Sequence, residues 1–94
     1  PGVQEFLIEL KQKGIPVALF TRNSREITTI TTLQHNLKFD LLITRDEAPP
    51  KPKPDGLKKI ARYFGLQTSE MLFIGDYLFD LQAGIASQTP TALY

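Results

Sequence analysis

The sequence has 94 residues, 41% of them apolar and 22% charged, and a formal net charge of +1; these values suit one small globular domain and carry no basic bias toward nucleic acid or an anionic membrane. It contains no cysteine, which excludes disulfides, zinc–thiolate centres and cysteine nucleophiles, and its apolar runs are far too short to span a bilayer. No secretory leader is visible, so the cytoplasm is the expected compartment, and a chain opening on Pro1 rather than Met reads as a processed product or a piece of a longer protein.

Helical and extended patterns alternate along the chain. Val3, Phe6, Leu7 and Leu10 recur at the spacing of one helix face, and Lys11, Lys13 and Gly14 form a stop signal. Residues 15–20 are a short apolar run, expected as a buried strand. Asn23 stands three residues before Glu26, a capping-box spacing that opens a helix over 24–36. Four threonines (Thr28, Thr29, Thr31, Thr32) give that helix poor intrinsic propensity, so it is expected to depend on packing Ile27, Ile30 and Leu33. Residues 41–44 form a second apolar strand, and 48–54 a proline-rich loop. Leu57, Ile60, Ala61 and Phe64 mark a third helix ending at Gly65; 71–74 is a third strand, 78–86 a fourth helix and 91–94 a fourth strand. His35 is expected as a surface residue at a helix end, and Phe39, Tyr63 and Phe64 as aromatics of the core or its edge. Units of this length predict an α/β fold, a Rossmann-like parallel sheet with right-handed crossovers and flanking helices, in a single domain or part of one over 1–94.

Sites in such sheets gather at the carboxyl ends of the strands. The first strand ends in Thr21-Arg22-Asn23-Ser24: a hydroxyl followed by backbone N–H groups at a helix start could cradle an anion, and Asn23 or Ser24 could equally be no more than a cap. The second leads into Pro49-Pro50-Lys51-Pro52-Lys53-Pro54, where fixed φ angles would aim a lysine at a phosphoryl oxygen or a carboxylate; a solvated rigid linker is the plainer reading. The third ends in Gly75-Asp76-Tyr77-Leu78-Phe79-Asp80. Carboxylates four apart on a helix repel, a cost that a hard divalent cation such as Mg2+ would offset, while a helix dipole and an N-cap bond would also favour acids there. A hydroxyl, a lysine and an acid pair after three successive parallel strands point together to one phosphate and metal site.

In this order and spacing the residues resemble the haloacid dehalogenase superfamily, and within it the phosphatases like phosphoglycolate phosphatase. Thr21 is similar to the family's second motif, Lys51-Pro52-Lys53-Pro54 to its K-P-x-P third motif, and Gly75-Asp76-x-x-x-Asp80 with Ala83-Gly84 to its fourth; the likeness runs over essentially the whole chain. It implies a Mg2+-dependent phosphohydrolase acting through an aspartyl-phosphate on a small phosphorylated metabolite. Thr21, with the N–H groups of Arg22 and Asn23, would bind the phosphoryl group. Lys51 rather than Lys53 would neutralise charge on it and on the nucleophile, and Asp76 and Asp80 would hold Mg2+.

The family's first motif, D-x-D on the opening strand, is missing: no Asp-x-Asp occurs, and none of Asp40, Asp46, Asp55, Asp76 and Asp80 fits its role. By family topology that strand is the centre of the sheet, between the strands ending near Phe20 and Ile74. The 94 residues alone are therefore expected to be inactive, with exposed sheet edges open to self-association. No cap domain fits between Thr21 and Lys51, so the substrate is not legible. The acid pair favours phosphoryl transfer over metal-free dehalogenation. A non-catalytic interaction or regulatory module derived from such a core is the alternative. A receiver-type signalling domain fits less well, since there the acids precede the Ser/Thr and the lysine.

Overall fold

In the computed structural model of the chain, which describes residues 2–75 and 78–93, four helices alternate with four strands: α1 (Val3–Gln12), β1 (Ala18–Phe20), α2 (Arg25–Gln34), β2 (Leu41–Ile43), α3 (Asp55–Phe64), β3 (Phe73–Gly75), α4 (Leu78–Ser87) and β4 (Thr91–Leu93). A single 3-10 turn, Thr68–Glu70, lies between α3 and β3. All strand pairing is parallel, as the alternation of elements predicts. Ala18, Leu19 and Phe20 lie opposite Leu41, Leu42 and Ile43, and Phe73, Ile74 and Gly75 opposite Thr91, Ala92 and Leu93. At the amino ends of the first pair, Asp40 fixes register by accepting the Val17 N–H at 2.7 Å while its own N–H donates to the Val17 carbonyl at 2.8 Å.

The two pairs are not hydrogen-bonded to each other: the sheet consists of a β1–β2 half and a β3–β4 half. α3 packs on β1, β2 and α4, and α4 packs on β3 and β4, so these two helices hold the halves together. The core lies along that contact, in Phe20, Ile43, Ala48, Leu57, Ile60 and Ala83. The rings of Phe20 and Phe73 meet across the division at 6.3 Å. Between the halves runs a cleft of about 790 Å³, walled by apolar side chains that include Phe6, Phe20, Leu57, Phe73 and Ile74. Its position, between β1 and β3, is the one that the family resemblance assigns to the central strand carrying the first motif.

This open cleft explains why α1 buries no residue. Its apolar stripe exists as the periodicity predicts, but Val3 and Phe6 remain 52% and 49% exposed because, with Leu7 and Leu10, they face the cleft.

α2 departs from expectation in two ways. Its cap is Ser24, whose hydroxyl accepts the Ile27 N–H at 3.2 Å, and not Asn23. The Asn23 N–H turns back onto the Thr21 hydroxyl at 3.2 Å, which closes a turn and moves the helix start one residue on. The helix also does not pack through Ile27, Ile30 and Leu33, which are 51%, 49% and 75% exposed; Thr28 is the residue turned inward. The threonine hydroxyls are satisfied within the helix: Thr28 and Thr31 donate to the carbonyls four residues back, and Thr32 to that of Thr29.

His35 is exposed at the end of α2, as expected. Phe39 is half-buried and Phe64 packs at the edge of the core. Tyr63 is a correction: it is 64% exposed, because the helical position beside Phe64 points outward and leaves only an edge-on ring contact with Phe64. Among the described residues no helix is long and apolar enough to cross a membrane.

Candidate functional site

Thr21 follows β1 directly. Its N–H donates to the Ile43 carbonyl at 2.9 Å, which extends the β1–β2 ladder by one bond and places the side chain at the carboxyl edge of the sheet. There the hydroxyl accepts from the Asn23 N–H. Of the two backbone N–H groups expected to meet a phosphoryl group, that of Asn23 is therefore already turned onto Thr21, and that of Arg22 makes no backbone hydrogen bond among the described residues. The exposed Arg22 guanidinium lies 5.8 Å from the centre of the Phe79 ring, at the rim of the same edge.

Lys51 reaches this edge from the loop after β2. Its ammonium is 2.7 Å from Oδ1 of Asp80, and the two side chains are only 14% and 6% exposed. The same nitrogen lies 3.5 Å from the Phe20 carbonyl, 5.2 Å from the centre of the Phe20 ring and 5.8 Å from that of Phe73. A cation between two ring faces and a carboxylate is held by π attraction as well as by charge, and exclusion of water strengthens both. The Lys51–Pro52 peptide is cis. Lys53, two residues on, is exposed.

Asp80 lies in the first turn of α4, where the helix dipole favours an anion. Gly75, at the end of β3, lets the carboxylate come this close: a Cβ at that position would collide with the Asp80 carboxyl group. Asp76 falls outside the described residues. Lys51 and Asp80 stand at one end of the cleft between the half-sheets.

The donor chemistry can be tested against a metal. Among the described residues no group of three or more His, Cys, Asp or Glu side chains could enclose an ion. Mg2+ asks for less, usually one or two carboxylates completed by waters and phosphate oxygens. The buried Asp80 carboxylate in the first turn of α4, beside Lys51, fits that smaller set.

Sequence reasoning missed a second constellation flanking the site. Arg25 forms a two-pronged pair with Glu47, Nε to Oε2 at 3.1 Å and Nη2 to Oε1 at 2.9 Å. This guanidinium holds the Glu47 carboxyl down to about 2, against an ordinary 4.5, with help from the Thr44 hydroxyl and N–H. The partners are distant in the chain and follow different strands, so no spacing rule announces them.

Comparison with known proteins gives a consistent result. Residues 1–88 match the haloacid dehalogenase-like hydrolase family. An uncharacterised hydrolase of Saccharomyces cerevisiae is 31% identical over 97 aligned positions, covering 99% of this chain and 44% of that protein. Phosphoglycolate phosphatase of Escherichia coli K12 is 32% identical over 94, covering 97% of this chain and 37% of the enzyme. Among solved structures, a haloacid dehalogenase superfamily hydrolase from Geobacter sulfurreducens superposes with a TM-score of 0.88 at 28% identity, over 99% of this chain and 45% of that one. The chain thus spans less than half the length of each of these proteins.

Proposed function

This chain belongs to the haloacid dehalogenase-like hydrolases, and on that premise we propose that it is the phosphate- and metal-holding part of a Mg2+-dependent phosphomonoester hydrolase, a single incomplete core domain over residues 1–94. The observation that carries this reading is the Lys51–Asp80 pair, a cation and an anion 2.7 Å apart and almost buried, at strand ends that also present Thr21.

The Thr21 hydroxyl donates to a phosphoryl oxygen, and the Arg22 N–H offers a second donor beside it. The Lys51 ammonium balances charge on the phosphoryl group and on the attacking carboxylate, inside a site where Phe20 and Phe73 keep out water. Asp80, with Asp76, would hold Mg2+, which when bound supplies charge neutralisation at the phosphoryl oxygens. Hydrolysis through an aspartyl-phosphate needs a nucleophilic aspartate, and no Asp-x-Asp motif occurs in this sequence. The 94 residues are accordingly proposed to bind phosphate and Mg2+ without turnover. The substrate class is a small phosphorylated metabolite, and the free edges of β1 and β3 are proposed surfaces for pairing with another chain.

The test is titration of the chain with inorganic phosphate, with and without Mg2+, followed by calorimetry or by amide shifts at residues 21–23. Thr21→Val keeps the shape and removes the donor, and is expected to weaken binding about tenfold. Equal binding by wild type and Thr21→Val defeats the site assignment. Turnover of an aryl phosphate by the wild type above a Lys51→Ala background defeats the claim of inactivity.

A further inference from the structure

We propose that Arg25 and Glu47 are positioning residues: their ion pair locks the loop carrying Thr21 against the loop carrying Lys51, so that the two phosphate-binding groups keep a fixed separation. The inference rests on the proposed reading of Thr21 and Lys51 as phosphate ligands, and assigns a role to residues that reading leaves out.

The bonds concerned all cross between segments 21–25 and 42–47 at the site end of the β1–β2 half. Besides the two-pronged pair, Arg25 Nη2 donates to the Leu42 carbonyl at 2.8 Å. The Arg25 N–H donates to Oδ2 of Asp46 at 2.8 Å, and the Arg45 N–H to the Asn23 carbonyl at 3.2 Å. Strand pairing ends at Phe20 and Ile43, apart from the one Thr21 bond, so beyond it these contacts set the distance between the loops.

Glu47 is the hub. Its Oε1 accepts from the Thr44 N–H at 2.8 Å and the Thr44 hydroxyl at 2.7 Å as well as from Arg25, and its carbonyl accepts from the Lys59 ammonium of α3 at 3.0 Å. From Glu47 the chain passes through buried Ala48 and then Pro49 and Pro50 to Lys51. Two prolines in that tether fix φ, so a shift at Glu47 is carried to Lys51 and not absorbed on the way. A guanidinium suits this task because its flat fork fixes direction as well as distance.

A surface ion pair contributes little to stability, and a positioning role differs from a structural one in where the loss appears. In the full 94-residue chain, Glu47→Gln keeps the Thr44 contacts and removes the charge; Arg25→Gln removes the fork from the other side. Each is expected to lower inorganic phosphate affinity about fivefold under conditions where circular dichroism shows the chain folded, with no more than a small drop in the urea midpoint. The double variant should lose no more affinity than either single one, since both break one unit. Faster amide exchange at Arg45 in both variants provides a readout independent of phosphate. If Thr21→Val weakens phosphate binding while Glu47→Gln and Arg25→Gln bind as wild type, the clamp is overturned and the reading of the site survives. If Thr21→Val has no effect, both fall. Additive losses in the double variant, or affinity losses that follow the urea midpoint, also overturn the positioning role.

Discussion

Lys51 and Asp80 meet at 2.7 Å although one follows β2 and the other follows β3, in halves of the sheet that share no backbone hydrogen bond. Their contact closes the site end of the cleft. Removing one partner of an almost buried pair leaves the other in poor solvent without its counter-charge, so Lys51→Ala is expected to cost about 3 kcal/mol of stability, read from urea unfolding. A loss under about 1 kcal/mol, the range of surface pairs, would mean that water screens the pair.

Gly75 offers a local test of the metal side. In Gly75→Ala the new Cβ collides with the Asp80 carboxyl group, which must turn away from Lys51. Mg2+ affinity, measured by calorimetry, is expected to fall about tenfold, with a stability loss of about 1–3 kcal/mol. Gly65→Ala is the control. At φ +69 and with open space around it, it costs about 1 kcal/mol through backbone strain alone and leaves Mg2+ binding unchanged.

Glu47 makes a pH prediction whose sign is fixed by its depressed folded value of about 2 against an ordinary 4.5. Its contribution to stability is whole above about 4.5 and is lost as pH falls from there through about 2. The groups facing it are Arg25, Asp46, Lys59 and the neutral Thr44. The stability gap between wild type and Glu47→Gln should stay constant from neutral pH to about 4.5 and close below it, in a series of urea titrations. A gap that widens on acidification would contradict the assignment.

The packing of the two central helices differs, and point substitutions should register it. Leu57 of α3 is 2% exposed, and Leu57→Ala is expected to cost about 2–5 kcal/mol. Leu33 of α2 is 75% exposed, and Leu33→Lys should change stability by no more than about 0.5 kcal/mol in the same urea assay.

The order of elements was readable because short apolar runs and helical stripes alternate with clear stops such as Gly14 and Gly65. Lys51 could be told from Lys53 only through a family resemblance; the structure buries the one and exposes the other. What escaped was whatever depends on facing partners. The Asn23 spacing suggested a cap, but the Thr21 hydroxyl competes for its N–H. The isoleucines of α2 suggested a buried face, but Ile27 and Ile30 stay about half exposed and Thr28 turns inward instead. Arg25 and Glu47 read as ordinary charges until the strands bring their loops side by side. Periodicity describes one element at a time, and a two-pronged ion pair belongs to two.

The division between β1 and β3 has one more consequence. Thr21 and Lys51, the proposed anion ligands, ride on one half of the sheet and Asp80, a proposed metal ligand, on the other, so on that reading the spacing between phosphate and metal follows the width of the seam. On that reading a ligand bridging the two sides would hold the halves at one spacing, and a strand seated in the seam would set the same spacing. By thermodynamic reciprocity the two events must favour each other by the same factor: ligand tightens the seam as much as a filled seam tightens ligand. Ligand binding at one end of the molecule and the integrity of its middle would then be a single equilibrium.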